Sequence, residues 1–122
     1  MSGLRLTPRT LEAAYDYLRT TPPFDRWGLP PGGDVKFVVS RRTGEFGRYQ
    51  WLGHRHCISM SSAAIGQTST LIRYIGHEAI HLHLQASGQE SKSSSMNVHN
   101  AAFRRYAAQA CRAHGWDLKA FY

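Results

Sequence analysis

The chain has 122 residues, 42% of them hydrophobic and 19% charged, which is the composition of one globular domain with enough apolar mass to bury a core. Fifteen Lys and Arg outweigh eight Asp and Glu, for a formal charge of +7 at pH 7. No run reaches the roughly 18 apolar residues that cross a bilayer, the opening MSGLRLTPRT has no apolar signal core, and two cysteines cannot make a four-cysteine metal ribbon. The expectation is one cytoplasmic domain over residues 1–122, away from membranes, with Cys57 and Cys111 reduced.

Thr7-Pro8 opens the first helix: Thr7 caps, Pro8 suits the first turn, and Leu6 can staple onto Leu11. Leu11, Ala14, Tyr15 and Leu18 then share one face. Thr20–Asp34 is dense in Pro and Gly and reads as a loop, which Phe24 and Trp27 can tie to the core. Three short segments of strand character follow, Val35–Ser40, Phe46–Trp51 and His56–Ser61. The turns RRTGE and LGHR between them suggest an antiparallel meander.

From about Thr68 the period becomes helical, with Leu71, Ile72, Ile75, Ala79, Leu82 and Ala86 at three- and four-residue steps and Gly88 as a stop. Gly88–Asn97 is a polar, serine-rich connector. A last helix is expected from about Asn97, its face running His99, Phe103, Tyr106/Ala107 and Ala110, with Gly115 as its C-cap. The predicted fold class is therefore α+β: an N-terminal helix, a three-stranded antiparallel sheet, a long helix and a C-terminal helix.

The long helix carries HEAIH at His77–His81. Two histidines four apart stack on one helix face and can grip one metal ion, with bonds of about 2.0–2.1 Å for zinc. Glu78 sits about 100° further round, beside the ligands, where it can take a proton from a water that zinc has acidified towards a pKa of about 7. The alternative is a pair of half-buried, hydrogen-bonded histidines. The apolar frame of Ile75, Gly76, Ala79, Ile80 and Leu82 favours the metal.

A third protein ligand leaves one position for water. His83 is about 200° from His81 and points elsewhere. Glu90 is close in sequence but lies in the connector; His99 heads the apolar face of the next helix and is the favoured third ligand. His54 and His56 bracket a turn, and His114 complements a helix C-terminus. Arg41, Arg42, Arg48 and Arg55, with Arg104, Arg105 and Arg112, form two basic regions. They suit DNA or another polyanion, and equally a surface that is merely basic.

With HEAIH at His77–His81, HNAAF at His99–Phe103 and the strand HCISMSS before the long helix, the chain resembles the SprT-like family of zinc metallopeptidases, which includes Spartan-type proteases. The resemblance spans about Val35 to His114. It implies a small zincin-like domain in which His77, His81 and His99 hold Zn2+ and Glu78 is the catalytic base. It also implies a protein or peptide substrate, held as an extended strand at a sheet edge. Several relatives act on DNA-associated proteins; the zinc ribbon that many of them carry at the C-terminus is not in this sequence. A zinc-stabilised DNA- or protein-binding module without turnover is the rival reading.

Overall fold

The computed structural model describes residues 5–90 and 99–122. It is a mixed α+β structure: four α-helices and a three-stranded sheet, with two single 3-10 turns in the loop after the first helix. Helix α1 (Pro8–Arg19) begins where the side chain of Thr7 accepts from the Thr10 amide, with Pro8 in the first turn. Leu11, Tyr15 and Leu18 are fully buried, and Tyr15 Oη donates to the Pro30 carbonyl, which ties the Pro-rich loop to the helix. Phe24 is buried in that loop and Trp27 packs half-buried beside it, as the aromatic spacing suggests.

Strands β1 (Val35–Ser40), β2 (Gly47–Trp51) and β3 (His56–Ser61) fall close to the expected segments, but they do not form a meander. The order is β1-β3-β2, with β1 parallel to β3 and β2 antiparallel to it. Burial explains the choice. Four of β3's six residues are buried, Cys57 and Ser61 on one face and Ile58 and Met60 on the other, and a strand covered on both faces belongs at the centre of the sheet. Two strand spacings are only about 10 Å, so the Arg41–Phe46 link can pass over the end of β3. It is fastened there by Ser61 Oγ donating to the Arg42 carbonyl and by the Ser62 amide donating to the Ser40 carbonyl.

This order makes β2 an edge strand. Its Phe46 carbonyl accepts from the Ser61 amide, and Leu52 N–H donates to the Arg55 carbonyl. Both pairs continue the β2–β3 register, so positions 46, 48, 50 and 52 bond inward. By antiparallel alternation, the main-chain groups of Gly47, Tyr49 and Trp51 face away from β3.

Helix α2 (Thr68–Ala86) crosses the helix-covered face of the sheet and ends in a Schellman motif. Gly88 has φ +75°, its N–H donates to Gln85, and Gln89 N–H reaches Leu84. From Ile75 to Leu82 every residue is buried. Helix α3 (Ala101–His114) starts four residues later than expected, because Asn100 Oδ1 accepts from the Phe103 amide and caps it there. Gly115, at φ +73°, ends it. A short helix α4 (Leu118–Phe121), unforeseen in the sequence, folds back to bury Phe121. Most of the serine-rich connector lies outside the described residues.

Gly76 lets this C-terminal region approach α2 closely. A Cβ there would lie 3.1 Å from Trp116 Cη2 and Cζ3 and 3.3 Å from Phe24 Cζ. Replacing a helical Gly by Ala gains about 1 kcal/mol of propensity, while overpacking costs about 1–3 kcal/mol. Gly76→Ala is therefore expected to lose about 1 kcal/mol net in urea unfolding. A more stable variant would mean that Trp116 yields freely.

Candidate metal centre

Helix α2 places His77 and His81 one turn apart, and the segment leading into α3 brings His99 against them. Histidine ring centroids lie 5.3 Å apart for His77–His81, 4.9 Å for His77–His99 and 5.4 Å for His81–His99, a nearly equilateral triangle. One nitrogen from each ring lies within 4.8 Å of the other two, and the three could hold a metal ion. Zinc–nitrogen bonds of about 2.05 Å at tetrahedral angles need nitrogens about 3.3 Å apart. Small rotamer adjustments bridge that difference.

His99 is not in the helix, as the periodicity suggested; it precedes the Asn100 cap. Its ring is aimed by stacking on Phe103, at 4.1 Å and 6°, and its carbonyl accepts from Arg104 Nη1 at 2.8 Å. One of the basic side chains thus braces the loop that carries the third histidine. Glu90 does not join the triangle. Its Oε2 lies 2.9 Å from His81 Nδ1, and a carboxylate next to that nitrogen makes it the protonated one. His77 Nδ1 lies 2.8 Å from the Phe121 carbonyl oxygen, which can only accept, so this nitrogen too carries its proton.

Both histidines therefore turn an Nε2 lone pair towards the centre. His81 Nε2 is fully buried and has no hydrogen-bond partner among the described residues. Such an orphaned atom costs about 1–3 kcal/mol, and an ion between the rings would satisfy it. The donor set suits a metal that takes imidazole nitrogens, and His77 and His81 each have, on the other ring nitrogen, the kind of partner that metal-binding histidines use.

Burial keeps His77 and His99 neutral. It drives His77 down to about 3, with further lowering from the His81 and His99 charges against the Phe121 hydrogen bond, and it lowers His99 as well. Neutral imidazoles have no proton to release before binding a metal. Glu78 moves the opposite way for the same reason. Only 5% exposed, it is pushed up to about 8, first by burial and then by the Glu45 and Glu90 charges, with Arg48 opposing.

A cleft of about 230 Å³ opens over the site. Glu78, His77 and His99 line it from below, Glu45, Phe46 and Gly47 from the start of β2, and Tyr74 and Tyr122 from α2 and the C-terminus. Phe46 stacks on Tyr74 at 4.2 Å and 5°. Glu45 pairs with Arg48 at 3.3 Å and Arg42 at 3.5 Å, which ties this cleft residue to the basic cluster around β2. Sequence reasoning missed Glu45, Phe46, Gly47 and Tyr122, which carry no motif and converge only through strand order and the α4 fold-back.

The other histidines stand apart. His83 stacks on Trp27 at 4.8 Å and meets Tyr106 edge-on, on another side of α2. His56 Nδ1 bonds Tyr49 Oη at 2.6 Å, His54 is exposed, and His114 bonds Thr21 Oγ1. Cys57 and Cys111 are buried free thiols. No helix among the described residues is long and apolar enough to cross a membrane. No protein-family model matches the chain, and no curated protein matches it, so the chemistry of the centre rests on its own geometry.

Proposed function

We propose that this protein is a zinc-dependent metallopeptidase of SprT-like, zincin type, with His77, His81 and His99 as ligands and Glu78 as general base. The observation that carries the reading is the convergence of three imidazoles beside a buried carboxyl under an open cleft. Zinc bound there supplies a Lewis acid for a carbonyl and a water acidified towards about pKa 7. Glu78 takes the proton of the attacking water and returns it to the leaving amine. A dication beside it would offset the burial that raises this carboxyl and favour the carboxylate, the form that takes a proton.

A peptide is the substrate that the surroundings favour. Gly47 belongs both to the cleft and to the outward-facing edge of β2, so an extended chain can pair with main-chain groups of Gly47, Tyr49 and Trp51 while one of its carbonyls reaches the centre. The cleft is also smaller than the roughly 300–1,000 Å³ of enclosed small-molecule sites. Action on DNA-associated proteins remains part of the proposal through the basic surface alone, and the cytoplasm is the compartment proposed for it.

The test is metal-dependent turnover. Purified protein is expected to carry about one zinc per chain and to cleave an unfolded protein such as casein. Chelation should stop cleavage and added zinc should restore it. Zinc-loaded protein that binds but never cleaves casein, free peptides or DNA-bound proteins would favour the non-catalytic binding module instead.

A further inference from the structure

Helix α4 meets the histidine cluster at His77, whereas Glu90 meets it at His81. Phe121 is fully buried, with its ring 5.5 Å from His77 and 6.4 Å from Phe103. Trp116 stacks on it at 5.6 Å and 14°, and the Cη2–Cζ3 edge of Trp116 presses on Gly76, the residue before His77. The Phe121 N–H donates to Asp117, closing the single turn of α4, and its carbonyl points into the core, where it accepts from His77 Nδ1. Tyr74 Oη makes a long contact, 3.4 Å, with the neighbouring Ala120 carbonyl.

We propose that α4 is a positioning element for the metal centre, in which Phe121, anchored by its ring, uses its main-chain carbonyl to fix the tautomer and orientation of His77. The proposal rests on the reading of His77 as a ligand, but it concerns a contact that exists without metal. A rotating imidazole could present either nitrogen to the centre; a carbonyl at 2.8 Å accepts only from N–H and so leaves Nε2 as the lone pair. His81 receives the same treatment from a carboxylate, as is usual for metal-binding histidines. Phe121 does it through the backbone, which makes the ring the only part that substitution can reach.

The experiment has two arms. In metal-free parent protein, nitrogen NMR of the imidazoles is expected to show His77 neutral and protonated at Nδ1, with that proton shielded from exchange. An Nε2–H tautomer would overturn the proposal without any variant. In the second arm, zinc affinity is measured by chelator competition at a temperature where circular dichroism shows each variant folded. Phe121→Ala, which frees the turn, is expected to bind zinc about 10–100-fold more weakly, while Phe121→Leu, which keeps an apolar anchor, stays within about threefold of the parent.

Leu18→Ala, in the core of α1 and away from the site, serves as the control: it lowers stability and should leave affinity unchanged. Equal affinity in Phe121→Ala and parent, or equal losses in Phe121→Ala and Leu18→Ala, would sink the positioning role. Failure of the parent to bind zinc would instead overturn the metallopeptidase reading, with the tautomer still deciding this one. If Phe121→Ala does not fold, the tautomer and Phe121→Leu still decide.

Discussion

Glu78→Gln is expected to keep the zinc and the fold and to lose at least 10²–10⁴-fold in kcat, the range that general-base removal commonly costs. Gln has the size of Glu and the charge of its protonated form, so it fills the same buried space but takes no proton from water. The stability consequence has a definite sign. Folding raises the Glu78 pKa from 4.5 to about 8, so between those values the folded protein holds a proton that the unfolded chain has released. Stability of the metal-free parent therefore falls through that window as pH rises. Gln cannot be ionised and escapes this loss, so metal-free Glu78→Gln should be at least as stable as the parent at pH 8. Turnover, zinc content and urea midpoints at pH 6 and 8 together check the assignment. Cleavage at the parent's rate would remove Glu78 from the mechanism.

The half of the site that lies on α2 is legible because helical geometry is local. Spacing of four puts His77 and His81 on one face, spacing of two turns His83 away, and the structure agrees in both cases. His99 comes to the other two rings by a route that helical periodicity does not describe. It reaches the centre through its stack on Phe103 and the Arg104 contact with its carbonyl, not as the first residue of a helical stripe. What the sequence hid was non-local. Strand order follows from which strand the fold covers on both faces, and two turn signals look alike in a meander and in a β1-β3-β2 sheet. The Phe121 carbonyl has no sequence signature, since every residue owns one. Glu45 and Tyr122 become cleft residues only after the sheet edge and α4 have been placed.

The identity of the third ligand separates two outcomes that differ by an order of magnitude or more. Structural zinc sites with four ligands bind with roughly 10–16 kcal/mol, or about 3–4 kcal/mol for each ligand, which converts to roughly two to three decades in affinity. His99→Ala should therefore weaken zinc binding by about 10²–10³-fold and abolish hydrolysis with it. Glu90→Gln leaves an amide oxygen able to accept from His81 Nδ1 and removes only the charge, so a loss of about tenfold, at the low end for outer-shell partners, is expected. Chelator competition on the two variants decides the order. If Glu90→Gln fell further than His99→Ala, the carboxylate would be the ligand and the imidazole its neighbour. The distances favour His99: its ring sits 4.9 Å from His77 and 5.4 Å from His81, whereas Glu90 meets His81 at Nδ1, the nitrogen turned away from the centre. A carboxylate committed there strengthens the lone pair on the other side of the ring, which is the more useful position for a negative charge beside a site that already has three neutral donors.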